Sequence, residues 1–134
     1  MRHEAALKLA VSSDNRADRP PATWIGHWKN QMGSSMELEV NGSEIKGSYT
    51  SANSGEGTGG PLVGALRGYV AGDLISFSVL WPGGSITAWT GQLVDDAAAP
   101  RIETLWHLVT DVPDPDEPTK LWTSTFTGAD KFTR

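Results

Sequence analysis

Cysteine is absent from the 134-residue chain, which excludes disulfides, thiolate nucleophiles and cysteine-rich zinc sites together. That absence assigns no compartment, because secreted proteins can also lack disulfides. No apolar run is long enough to cross a bilayer as a helix, so no membrane partner is expected. Basic residues form no cluster and the formal net charge is −5, the wrong sign for a phosphate backbone, so no nucleic-acid partner is expected. The histidines, His3, His27 and His107, are scattered without metal-ligand spacing, and no metal site is expected. No internal repeat suggests a propeller or solenoid. Tyrosine (2) and phenylalanine (3) are scarce, yet there are six tryptophans: Trp24, Trp28, Trp81, Trp89, Trp106 and Trp122. One or two would be ordinary core filler, whereas six in so short a chain point to a pocket or an interface. The length suits one domain with one core, and 15 glycines with 8 prolines allow frequent turns.

Residues 1–22 read as an N-terminal tail. Glu4 to Val11 suits two helical turns, and the polar stretch from Ser12 closes on Pro20-Pro21 as linkers do. Glu4 and Lys8 interrupt the apolar region a signal peptide needs, which leaves a disordered tail or a degenerate signal. Residues 23–134 change to short runs of alternating polarity between turn residues, the pattern of an all-β domain. The predicted strands are Trp24–Gln31, Ser35–Val40, Glu44–Ser51, Leu62–Val70, Leu74–Trp81, Ser85–Val94, Arg101–Thr110 and Lys120–Phe132. Asn41-Gly42, Ala71-Gly72-Asp73 and Pro82-Gly83-Gly84 supply turns. The proline-rich stretch Asp111–Pro118 is unsuited to a strand interior. Eight consecutive strands on mostly short connections predict an antiparallel up-and-down β-barrel, closed so that no edge is left bare. Such a barrel has room inside for side chains and one small ligand.

Several predicted strands place hydrogen-bonding residues in phase with aromatics. Trp28 pairs with Asn30, Tyr49 with Ser51, and Ser85 and Thr87 with Trp89. Thr104 alternates with Trp106 and Leu108, and Ser124 with Phe126 and Asp130. A solvent face explains any one strand, but in combination it would turn Trp28, Tyr49, Trp89 and Trp106 outward. A ligand pocket explains both classes at once, with indole walls and a few fixed polar groups. Such groups reject ligands that leave them unpaired.

The segments Gly26–Ser34, Gly47–Ala52, Thr87–Gln92, Arg101–Leu108 and Leu121–Thr133 resemble, in order and spacing, strands of the avidin and streptavidin family. The resemblance implies a barrel that binds biotin as a ligand without catalysis and without a cofactor. By position, Asn30, Ser34 and Tyr49 correspond to donors to the ureido oxygen, and Ser51 and Asp130 to acceptors of the ureido N–H groups. Thr87 corresponds to the hydroxyl beside the thioether. Trp81, Trp89 and Trp106, with Leu108, correspond to the apolar walls. Ser85 and the backbone around Asn53 to Gly55 correspond to the carboxylate contacts, although Glu56 in that glycine-rich loop would repel an anion. Trp122 matches a residue that reaches into a neighbouring subunit's pocket, which implies a homo-oligomer, with a tetramer favoured. Secretion is implied by the same resemblance.

Two other functions compete. A lipocalin-like carrier of an apolar ligand would lack the polar set. A glycoside hydrolase needs two facing acids, whereas Glu37, Glu39 and Glu103 fall on faces opposite to that of Asp130, so catalysis is not expected. His27 and His107 alternate outward.

Overall fold

Burial with a two-residue period builds the architecture: in strand Leu74–Leu80, Ile75, Phe77 and Val79 are buried while Leu74, Ser76, Ser78 and Leu80 are exposed. The computed structural model describes residues 1–12, 18–52, 60–95 and 99–134. The strands are β1 (Gly26–Asn30), β2 (Ser35–Asn41), β3 (Glu44–Ser51), β4 (Leu62–Ala71), β5 (Leu74–Leu80), β6 (Ile86–Val94), β7 (Arg101–Val109) and β8 (Thr125–Thr133). Each pairs antiparallel with its sequence neighbour, and β1 pairs with β8 to close the barrel. The fold class expected from the sequence is the one observed.

Glycines on the inward face let the wall bend. A Cβ on Gly47 would lie 1.8 Å from the Glu37 carbonyl oxygen, and one on Gly91 1.9 Å from that of Glu103. Only hydrogen fits where strands coil this tightly.

The closed end is sealed by the residues that lead into β1. After helix α1 (His3–Ser12), which buries nothing, a short 3-10 turn at Pro21–Thr23 delivers the buried Trp24. Trp28 Nε1 donates to the Trp24 carbonyl at 2.9 Å. The Arg134 guanidinium lies 4.2 Å from the Trp28 ring centroid and donates to the carbonyls of Ile25 (2.7 Å), Thr23 (2.8 Å) and Ala22 (3.3 Å). At the same end, Arg19 bridges Asp73 at 2.6 Å and Asp95 at 3.1 Å, which joins the β4–β5 turn to the end of β6.

Three local expectations are corrected. The eighth strand begins at Thr125, not Lys120: Glu117–Lys120 forms helix α2 and Leu121–Ser124 a 3-10 turn. The β7–β8 ladder ends at Val109 with Thr125, so the preceding residues have no strand to pair with. The first strand begins at Gly26, because Trp24 has αR backbone angles at the end of the 3-10 turn. The β2–β3 loop is Gly42-Ser43, one residue beyond the expected Asn41-Gly42; Asn41 pairs with Glu44, and Gly42 supplies the positive φ of 63°.

Candidate functional site

Lumen-facing residues of β7 and β8 form register pairs that stack along the barrel axis. Ile102 meets Phe132 in the closed core, Thr104 meets Asp130 above it, then Trp106 meets Gly128, and Leu108 meets Phe126 at the open end. Polar chemistry therefore sits one step above the sealed core, and aromatic walls sit above that.

Asn30, the last residue of β1, is oriented by its own turn. Its Oδ1 accepts the backbone N–H groups of Met32 (3.0 Å) and Ser34 (2.9 Å), which forces the amide nitrogen toward the lumen. That nitrogen donates to the Tyr49 hydroxyl at 3.1 Å. Ser34 Oγ accepts the Ala52 N–H at 3.0 Å and also hydrogen-bonds Tyr49. Two side chains thus converge on the Tyr49 oxygen, and the phenolic proton is left to point elsewhere. Tyr49 is 3% exposed. Burial, followed by the negative charge of Asp130, pushes its hydroxyl well above the ordinary tyrosine value, against the opposing bonds from Ser34 and Asn30. Tyr49 is therefore a neutral donor at any physiological pH.

Asp130 is held by two partners. Trp89 Nε1 donates to Oδ2 at 2.8 Å, and Gln31 Nε2 donates to Oδ1 at 2.8 Å. Gln31 Oε1 in turn accepts the Lys131 N–H at 2.9 Å. The amide of Gln31 thereby continues the short β1–β8 ladder, whose paired residues are Lys29 with Thr133 and Asn30 with Phe132. Two charge-assisted bonds fix the carboxylate as an acceptor.

The aromatic wall is continuous with this polar layer. Tyr49 stacks on Trp89 with centroids 4.8 Å apart, and Trp89 stacks on Phe77 at 4.9 Å. Trp81 meets Tyr49 edge-on at 5.6 Å and donates from Nε1 to Thr87 Oγ1 at 2.8 Å. Two glycines make room for the indoles. A Cβ on Gly64, opposite Tyr49, would lie 3.2 Å from Trp81 Cε3 and closer still to Val79 and Leu80. One on Gly128, opposite Trp106, would lie 2.5 Å from Trp106 Cζ2.

Asn30, Ser34, Tyr49, Trp81, Thr87 and Trp89 are buried, and Trp106 and Asp130 half-buried, on one connected inner surface. Ser51, Ser85 and Leu108 are half-buried nearer the open end, and Trp122 is 80% exposed on the 3-10 turn before β8. Asn53 and Gly55 lie outside the described residues. Gln31, Gly64 and Gly128 were missed by the sequence pattern; a glycine inside a strand was the available signal for the latter two. A cleft of about 820 Å³ on the outer wall of β2–β5 contains none of the expected residues, while one of about 570 Å³ across β6–β8 touches Asp130 from outside. Among the described residues no group of three or more His, Cys, Asp or Glu is placed to hold a metal.

A closed antiparallel barrel with a polar floor and tryptophan walls defines a small-ligand carrier architecture. The chain belongs to the avidin family, whose profile matches residues 19–134. Solved structures agree. Xenavidin is 28% identical with a TM-score of 0.68, covering 86% of this chain and 99% of its own. The rhizavidin–biotin complex is 29% identical with a TM-score of 0.63, covering 81% and 89%. Apo shwanavidin is 29% identical with a TM-score of 0.64, covering 81% and 96%. No curated protein sequence matches the chain.

Proposed function

We propose that the chain binds biotin tightly and reversibly in the open end of its barrel and performs no reaction on it. The observation that carries this is the pairing of a donor cluster with an acceptor, both held by Trp89. Asn30, Ser34 and Tyr49 converge at its ring face, and the fixed carboxylate of Asp130 lies at its N–H edge. A cyclic urea needs this combination: donors for its carbonyl, which they polarise toward an oxyanion, and acceptors for its N–H groups. Ser51 supplies the second acceptor, and Asp130 reinforces the polarisation. Trp81, Trp89, Trp106 and Leu108 enclose the bicycle, with Thr87 beside the thioether. Ser85 and the backbone near Asn53 and Gly55 receive the carboxyl end. Rhizavidin, a relative crystallised with biotin, supports the ligand class.

An apolar carrier is disfavoured because its ligand would leave the Asn30–Tyr49–Asp130 groups dehydrated and unmatched. Competition between biotin and an apolar fluorescent probe separates the two: displacement by biotin at stoichiometric ratio supports the urea site, and probe binding indifferent to biotin overturns it. Glu37, Glu39 and Glu103 are exposed on the outer wall, which supports binding without a carboxylate pair for hydrolysis.

The same reading makes the protein a homo-oligomer, with Trp122 placed over a neighbour's ligand and a tetramer favoured. Support comes from its exposed indole and from an outward apolar row, Ala65, Leu80, Ile86 and Val109, running across four strands in register. Light scattering should give a multiple of the chain mass, and Trp122→Lys should lower that mass or speed biotin release; an unchanged mass and release rate would remove Trp122 from the site. Residues 1–22 as a tail beside a barrel of residues 23–134, and secretion of the protein, complete the proposal. Recovery of the protein only from the cytoplasm of its host would contradict secretion.

A further inference from the structure

The inward face of β7 carries one polar side chain that the biotin site does not use. Ile102, Thr104, Trp106 and Leu108 face the lumen in turn, and Thr104 lies between the fully buried Ile102 and the half-buried Trp106. Thr104 is 5% exposed, so its hydroxyl needs a partner inside the protein. A valine has nearly the same branched shape and would fill the position without that demand. The hydroxyl therefore calls for an explanation that packing alone does not supply.

Its partner is the backbone of Asp130. The two residues are paired in register across β7 and β8, and Thr104 Oγ1 donates to the Asp130 carbonyl oxygen at 3.0 Å. Such a bond matters here because the strand on the other side of β8 has run out. The β1–β8 ladder pairs Lys29 with Thr133 and Asn30 with Phe132, and beyond it the Gln31 side chain takes over at Asp130 and Lys131. Trp89 and Gln31 orient the carboxylate at the tip of the side chain. Thr104 holds the same residue at its root, on the backbone carbonyl.

We infer that Thr104 is a positioning residue for biotin binding: its hydroxyl fixes the Asp130 backbone and, through it, the carboxylate that Trp89 and Gln31 aim at the ligand. This rests on the biotin reading above and adds a residue that acts through Asp130 and not on the ligand. The acceptor is then held at three points, by a tryptophan of β6, a glutamine of the β1–β2 turn and a threonine of β7. Preorganisation of this kind spares the ligand the cost of ordering its own acceptor.

The test exchanges the hydroxyl for a methyl. Biotin release is timed for the full chain, Thr104→Val and Thr104→Ser, each with and without Asp130→Ala, and folding is checked by the unfolding midpoint. Thr104→Val should speed release about tenfold, the equivalent of one lost hydrogen bond. Thr104→Ser keeps the hydroxyl and should stay within about twofold of the wild type. In the Asp130→Ala background, Thr104→Val should alter release by less than about twofold, because no carboxylate remains to be placed. A role in packing alone predicts equal losses in both backgrounds and no rescue by serine. A second readout needs no ligand: solvent exchange of the indole N–H protons, followed by NMR. The Trp89 proton, bonded to Asp130, should exchange several-fold faster in Thr104→Val, whereas that of Trp28, bonded to the Trp24 carbonyl, should not change. Thr104→Ala serves both readouts if valine prevents folding. Unaltered release, equal losses in the two backgrounds, failure of serine to rescue, or unaltered Trp89 exchange overturns the inference and leaves the biotin reading intact. Failure of the wild type to bind biotin is the separate result that overturns the biotin reading.

Discussion

Trp89 donates its indole N–H to Asp130 Oδ2 at 2.8 Å while its ring face stacks on Tyr49, so one side chain aligns the acceptor and the donor cluster of the site. The distance between the two halves is set by a rigid ring and not by flexible chains. Preorganisation of this kind lowers the ordering cost of binding.

Removing the acceptor should therefore cost more than one ligand contact. Asp130→Ala leaves the Trp89 and Gln31 donors without their partner as well as the ligand N–H. Biotin affinity is expected to fall by about 2–4 kcal/mol, or roughly 30- to 1,000-fold. Asp130→Asn keeps an oxygen for one donor and should lose less. Equilibrium titration of the two variants checks the order, and equal affinities in the wild type and Asp130→Ala would remove Asp130 from the site.

Tyr49 gives the site a signature at alkaline pH. Burial and the Asp130 charge raise its folded pKa above the ordinary value of about 10. The unfolded chain therefore releases this proton first as pH rises, while the folded chain keeps it. The stability linked to Tyr49 is full below about pH 10 and is lost progressively above it. Urea unfolding should show a falling midpoint in that range, with a shallower fall in Tyr49→Phe. Identical slopes would contradict the assignment. Tyr49→Phe should also weaken biotin binding at neutral pH by about 1–3 kcal/mol, because a ureido oxygen loses a donor.

Gly128→Ala tests the bed on which Trp106 lies. The new methyl would sit 2.5 Å from Trp106 Cζ2, and the indole must swing away from β8. Overpacking of this kind costs about 1–3 kcal/mol. Thermal unfolding should register that loss, and biotin release should accelerate as the wall moves. A variant with wild-type melting and release would show that Trp106 does not depend on this glycine.

The residues that were hardest to read from the sequence are those whose partners are distant in the chain. Alternation in β2, β3, β5, β6 and β7 was legible because one face of each is buried and the other is not. Asn30, Tyr49, Thr87 and Asp130 stood out because polar groups appeared on that buried face. The start of β8 misled: Leu121-Trp122-Thr123-Ser124 has strand-like composition, yet the β7–β8 ladder reaches back only to Thr125, with one further bond from the Thr110 N–H to the Ser124 carbonyl, and the segment turns as a 3-10 element after helix α2. Trp24 imitated a strand residue because it is buried in phase with Trp28, although its backbone belongs to a turn. Arg19, Gln31 and Arg134 carry no local pattern at all. Each meets its partner only after the barrel closes.

Arg134 offers a test of that closure. Arg134→Met keeps an apolar stem over Trp28 but loses the cation and its bonds to Ala22, Thr23 and Ile25. Stability should drop by about 1–3 kcal/mol in chemical unfolding. Arg134→Lys should recover part of it, because an ammonium retains the charge but not the planar fork. Wild-type stability in both variants would contradict the role given to the guanidinium.

The central claim is met most directly by titration calorimetry of the full chain with biotin, which reports affinity and stoichiometry together. Strong heat with a sharp equivalence at one biotin per chain is the expected result. No heat at micromolar protein would contradict the account.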